Sequence, residues 1–370
     1  MATIDIVYDG TMKTHIAYFD VLRVIAILAV IMLHVAAAHF SDTDVFSFAW
    51  EMSNMWDGLV RWGVPVFVMI SGALFLDPAR EISFHKLYSK NIFHIISVLL
   101  FWSVGYALIG FVTGSSQGNI EKLIAHTVLG HFHLWFLYML LGLYIIVPLL
   151  RPICKDMQLV RYFLILSLFF TFLIPTVTKV LTGLDLIMPD SIFSMGLKAI
   201  NSLFDEHIHF HFTLGYVAYF VLGYYIHQLD LLPKQRKIIY LLGVLGGVFS
   251  IVFGQFIAHT SHTNFDFYSG GNVTLYVLFE SLAIFIFVKY HIDMLSEKLI
   301  IFFNYLSKRV FGIYLIHAGI QSCLSKFFGI SSSSFNPLFS IPLLALLIFC
   351  LSWVGIEMIR KIPWLGKRIV

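Results

Sequence analysis

Three ionisable residues inside one apolar run are the first chemistry this chain offers. Tyr18-Phe-Asp-Val-Leu-Arg23 runs into Ala26-Ile-Leu-Ala-Val-Ile-Met-Leu-His34, so an aspartate, an arginine and a histidine interrupt a stretch long enough to cross a bilayer. Arg23 and His34 are 11 residues apart. On a helix that is almost three whole turns, so both side chains face the same way, about 16 Å apart along the axis. Histidine is the side chain whose ordinary pKa suits proton transfer near neutral pH. An arginine supplies positive charge for an anion. Such groups are costly in lipid and by default mark a buried polar path or site. The bland alternative is a helix starting a few residues later, with Asp20 and Arg23 among headgroups and His34 a hydrogen-bonded packing residue.

Other residues of reactive or recognising type lie further along. Ser71 ends Val64-Pro-Val-Phe-Val-Met-Ile-Ser-Gly72, where Pro65 frees a carbonyl and small residues permit close helix approach. Arg80, Lys86 and Lys90 follow; the two lysines are spaced i,i+4 and share a helix face, which suits a phosphorylated ligand or, more plainly, anionic lipid. Gly130-His131-Phe-His133-Leu-Trp135-Phe-Leu-Tyr138 combines interfacial aromatics with two histidines able to hydrogen-bond a polar acceptor such as a sugar. His207, His209 and His211 alternate on the same side, with His259 and His262 elsewhere. His317 closes Ser307-Lys-Arg-Val-Phe-Gly312-Ile-Tyr-Leu-Ile-His317, as either a packing residue or a further member of a site. No metal site is expected, since no helical His-x-x-x-His pattern and no cysteine supports the histidines. Cys154, Cys323 and Cys350 are far apart and form no disulfide signature.

The elements that must position these residues follow from composition. The chain has 370 residues, 59% hydrophobic and 12% charged, with a mean hydropathy of +0.86. A soluble core cannot hide that much apolar surface, so lipid must solvate most of it. Long continuous apolar runs exclude a β-barrel, and the fold class expected is an all-α, polytopic bundle. The spans expected are 19–40, 58–76, 91–113, 133–150, 161–180, 212–228, 237–258, 272–290, 309–328 and 341–360, ten in all. Nineteen of the 24 lysines and arginines fall in one set of connections; Arg61, Lys122, Lys179, Lys198 and Lys326 fall in the other. By the positive-inside rule the basic set and both termini are cytoplasmic. Residues 1–370 form one membrane domain, with an interfacial helix around Ile192–Leu203. No cleaved signal peptide is expected at the start, and no nucleic-acid partner.

Taken in order, Asp20-Val-Leu-Arg23 with His34, Val64 to Gly72, His133-Leu-Trp135-Phe and Gly312-Ile-Tyr-Leu-Ile-His317 resemble a known set. The chain resembles acyltransferase family 3, integral-membrane acyltransferases of surface and exported glycans. It is most similar to the short, single-domain members related to the enterobacterial common antigen O-acetyltransferase, over essentially its whole length. The resemblance implies a ten-helix bundle in a bacterial inner membrane that takes an acyl group, usually acetyl, from cytoplasmic acyl-CoA as co-substrate. It implies transfer to a sugar hydroxyl of a lipid-linked or surface glycan. Carried over, His34 matches the essential histidine and Arg23 its paired arginine; in that chemistry His34 is expected to act as base or acyl carrier, with Asp20 holding Arg23. Arg80, Lys86 and Lys90 stand where the family often carries donor-binding arginines, although lysine lacks the bidentate fork. His131, His133, Trp135, Tyr138, Ser71 and His317 are the residues expected on the acceptor side.

Two other classes compete. A transporter or flippase of a glycan precursor, acyl donor or amino acid also buries ionisable residues, but usually shows related halves and interrupted helices, absent from this sequence. A scaffold leaves Arg23 and His34 unexplained.

Overall fold

The structure is a computed structural model, and it describes residues 3–8, 11–38, 40–112, 127–203, 215–265, 267 and 271–362. His126, His207, His209, His211 and Lys122 lie outside the described residues. An antiparallel hairpin of β1 (Thr3–Tyr8) and β2 (Thr11–Ile16), paired from Thr3 with Ile16 to Tyr8 with Thr11, leads into the first helix. The rest of the described fold is helical: α1 (Ala17–Ala37), α2 (Phe48–Val60), α3 (Gly63–Phe75), α4 (Phe93–Val112), α5 (Trp135–Cys154), α6 (Met157–Ser167) and α7 (Ile174–Ile187). The second part comprises α8 (Ile192–Ser202), α9 (Tyr216–Gln228), α10 (Pro233–Ser261), α11 (Leu275–His291), α12 (Glu297–Ser307), α13 (Val310–Phe328) and α14 (Pro337–Arg360).

Among the described residues eight helical stretches are long and apolar enough to cross a membrane, or nine if α12 and α13, bent by 64°, count as one broken span. The remaining expected span, 212–228, coincides with the 13-residue α9. The protein is therefore a polytopic helical bundle, and its lipid-facing character shows in exposed Leu108, Ile109, Leu149, Ile165, Val244 and Leu343.

Two departures from the expected spans have physical causes. The second span begins at Phe48 rather than 58, because α2 continues into α3 as one 28-residue stretch. Its first half carries Ser53, Asn54 and Asp57, which lower the hydropathy but are buried inward; Asn54 Nδ2 donates to the Ile251 carbonyl at 3.1 Å. The third stretch, Phe84–Phe111, likewise starts early and opens with a wide π-turn at Leu87–Ile92. The split between the fourth and fifth spans falls where expected: α5 ends at Cys154, and Asp156 caps α6 by accepting from the Gln158 N–H at 2.7 Å. A helix does form where an interfacial one is expected: α8, capped by Ser191, exposes Ile192 and Met195.

α1 is the axis of the bundle. Its apolar residues are buried on most sides, Leu22, Ile27, Ile31 and Val35 among them, and it packs against α2, α3, α11, α12, α13 and α14. The tightest helix pair beside it is α3 with α9. A Cβ placed on Gly72 would sit 1.7 Å from the Phe220 carbonyl oxygen, and one on Gly223 would sit 2.0 Å from that of Met69. Only glycine allows backbones that close.

Candidate functional site

Helical spacing on α1 puts Asp20, Arg23 and His34 on one face, at two levels that meet different neighbours. Near the basic end of the bundle, Arg23 Nη1 lies 3.1 Å from Asp20 Oδ1 and 3.4 Å from the Ser307 hydroxyl. Asp20, almost fully buried, accepts at its other oxygen from Asn304 Nδ2 at 3.0 Å. The carboxylate thus holds the arginine while α12 holds both, which answers the cost of burying each charge. Asn304 and Ser307 escape the sequence because 297–308 reads as a connection rather than as a helix folded back over the mouth.

Eleven residues on, His34 meets His317. His34 Nδ1 and His317 Nε2 are 2.8 Å apart, the rings are parallel within 7°, and the other His317 nitrogen, Nδ1, lies 2.6 Å from the Tyr314 carbonyl. A carbonyl only accepts, so His317 Nδ1 carries a hydrogen. In the neutral pair His317 Nε2 is then the acceptor and His34 Nδ1 the donor, leaving the lone pair of His34 on Nε2. Gln321 steadies the turn by donating to the His34 carbonyl at 3.1 Å. A second pair lies alongside. His133 Nε2 donates to the Leu315 carbonyl at 3.3 Å, and its Nδ1 is 2.8 Å from His131 Nδ1. Both ring nitrogens of His133 are therefore engaged within the protein, and Tyr314 fixes its backbone by donating to its carbonyl at 2.5 Å. His131 stacks on Tyr106, centroids 4.4 Å apart.

A cavity of about 440 Å³ joins the two ends of this arrangement. Arg23, Ser307, Asn91 and Tyr144 border one part of it; His34, His133, Trp135, Arg61 and Asn272 border the rest, with Ser71, Phe67 and Phe136 in the wall. Of the expected residues, the cavity therefore gathers Arg23, His34, Ser71, His133 and Trp135. Asp20 and His317 stand directly behind Arg23 and His34. Tyr138 lies outside it, exposed, with its hydroxyl on the Val128 carbonyl. Ser71 also donates back to the Phe67 carbonyl at 3.0 Å. His259 lies away from the cavity and donates to the Val45 carbonyl at 2.9 Å.

A second hollow opens at the basic end, lined by Arg80, Ile82, Phe84, Val147, Pro148, Arg151 and Lys155. It adjoins the first along α5, where Tyr144 borders one and Val147 the other. Arg151 builds its wall by donating to the carbonyls of Phe75 at 2.8 Å and Arg80 at 2.6 Å. Arg80 belongs to this hollow, whereas Lys86 and Lys90 are exposed and line neither cavity. Arg151 and Lys155 are cations that sequence spacing did not connect with Arg80, because a helix-to-loop contact across 71 positions leaves no periodic trace. Arg61, Tyr144 and Asn272 are likewise brought to the main cavity only by packing.

No curated protein and no solved structure matches the chain. The family model described as an acyltransferase domain matches residues 16–357, a stretch running from the start of α1 almost to the end of α14. That match takes in nearly every residue of the bundle and both ends of its cavity, and on it the chain belongs to acyltransferase family 3 and is a multi-pass membrane acyltransferase.

Proposed function

We propose that this acyltransferase takes an acetyl group from acetyl-CoA at the basic end of the bundle and gives it to a sugar hydroxyl of a lipid-linked or surface glycan at the other. The basic end faces the cytoplasm of a bacterial inner membrane, with both termini on that side. The observation that carries this reading is the single cavity bordered by Arg23 at one end and by His34 at the other. The donor's phosphates sit in the basic hollow of Arg80, Arg151 and Lys155, with Lys86 and Lys90 adding long-range attraction at its approach. Arg23, held by Asp20, receives the donor's polar arm, and the thioester reaches His34.

His34 Nε2 takes the proton of the acceptor hydroxyl as that oxygen attacks the thioester carbonyl; when the carbon–sulfur bond breaks, the proton passes to the departing thiolate. Direct transfer needs no acyl-histidine, and it uses the nitrogen that the bond to His317 leaves with a lone pair. Trp135 and Asn272 offer an aromatic face and an amide for the sugar. The test is deletion of the gene followed by mass spectrometry of surface glycans: a lost 2-carbon acyl increment, restored by the wild-type gene, supports the reading. Unchanged glycans together with lost flux of a sugar lipid would place the protein among transporters.

Two substitutions probe the two ends. Arg23→Lys keeps the charge and loses the fork, so KM for acetyl-CoA should rise about tenfold or more, in line with a charged hydrogen bond. A KM within twofold of wild type would reduce Arg23 to a topogenic charge. His317→Leu removes the acceptor that fixes the His34 ring, and kcat should fall about ten- to a hundredfold. His317→Asn, whose amide oxygen still accepts, should recover part of that loss; equal losses in both variants would argue for simple packing.

A further inference from the structure

Arg23 cannot be the cation beside the reacting carbonyl. It sits about 16 Å down the axis of α1 from His34, a distance that no arginine side chain covers. A second arginine is better placed. α2 and α3 form one span, Phe48–Phe75, that returns along α1 after the connection 38–47. Its level is set by Gly63, whose Cβ position lies 3.0 Å from the Ala26 carbonyl oxygen, 3.1 Å from Val30 and 3.3 Å from Ala29. Asp57 is six residues before Gly63, about 9 Å further along the helix, which brings it level with residue 34 of α1. Arg61 reaches back to Asp57, Nη2 to Oδ2 at 2.5 Å, so its guanidinium is carried to the depth of His34. Both Arg61 and His34 border the main cavity, and the Asp57 side chain is only 2% exposed.

We infer that Arg61 is the catalytic cation of the transfer step, stabilising the oxyanion that forms on the thioester carbonyl while His34 holds the proton. Asp57 is its positioning residue. The inference rests on the proposed acyl-CoA reaction and adds a role that Arg23 is too distant to fill. As the acceptor oxygen attacks, the carbonyl π electrons move to oxygen, and a guanidinium N–H donates to the resulting charge. When the carbonyl re-forms, the carbon–sulfur bond breaks and the thiolate takes its proton from His34. An arginine carries five N–H donors in a fixed fork, and the pairing with Asp57 sets its plane. Removing one such donor costs about 100- to 1,000-fold in kcat.

The experiment uses membranes of a deletion strain producing the full chain, which contain the native acceptor, with radiolabelled acetyl-CoA as donor. Arg61→Gln should lower kcat about 100-fold or more with KM for acetyl-CoA within about threefold, because the donor's phosphates lie at the other end. Arg61→Lys should retain an intermediate rate, and Asp57→Asn should lose about tenfold. Since Arg61→Gln leaves a buried carboxylate without its cation, the double variant Arg61→Gln with Asp57→Asn is measured beside it, and purified samples are checked for wild-type melting. Folded Arg61→Gln or double variant with kcat within threefold of wild type overturns the inference. So does a loss confined to KM for acetyl-CoA. If wild-type membranes transfer no label above the deletion strain, the acyl-CoA reading itself fails, which is a separate result.

Discussion

Replacing His34 by alanine should cut acyl transfer by about 100- to 10,000-fold, the usual span for losing a positioned general base. The protein should still fold. The His34 ring contacts Phe132 and His317, and its removal leaves His317 Nε2 as a buried acceptor without its donor. That costs about 1–3 kcal/mol, within what a bundle of this size tolerates. His34→Asn separates the two effects: its amide can donate to His317, but it offers no basic nitrogen. Both variants should be inactive, with His34→Asn melting closer to wild type. Stably inserted His34→Ala with full transfer of label from acetyl-CoA would sink the proposed chemistry.

The largest effect on the fold itself is expected at Gly72. An alanine there places its Cβ 1.7 Å from the Phe220 carbonyl oxygen and 2.6 Å from its carbon, both backbone atoms that no rotamer change moves aside. α3 and α9 must separate, and overpacking of this kind costs about 3 kcal/mol or more. Gly72→Ala should yield little monodisperse protein in detergent, followed by size-exclusion chromatography after stepwise heating. Gly142→Ala is the matched control, since its Cβ would meet nothing within 4 Å. It should be neutral or slightly stabilising, because alanine costs less backbone entropy in a helix. Similar losses at both positions would show that the helix contact is looser than the geometry requires.

The part of the site carried by α1 was legible because it is local. Asp20, Arg23 and His34 stand out against an apolar run, and their spacing is read directly along one helix. The histidines at 131 and 133 were legible as a pair, but not their tie to Leu315, which needs α5 beside α13. Arg61 read as one of a few stray cations, and Asp57 fell before the expected start of its span. A buried acid lowers hydropathy in the same way as a solvent-exposed one, so the inward-facing Ser53, Asn54 and Asp57 disguised the helix carrying them. Asn304 and Ser307 were hidden for a related reason: α12 is too short to span by itself, and a 64° bend separates it from α13, with which it makes up one broken candidate span.

One feature of α1 sets a limit on the donor. Arg23 and His34 are fastened to a single unbroken helix that neighbours enclose on most sides, so the interval between them cannot stretch or shorten as the bundle moves. Under the proposed reaction, that helix acts as a ruler. A donor is measured by the reach of its arm before its acyl group is presented, and one anchored at Arg23 but too short leaves its thioester stranded below the base. Inserting a residue between Arg23 and His34 would lengthen the rule by about 1.5 Å and turn His34 by about 100°, away from His317.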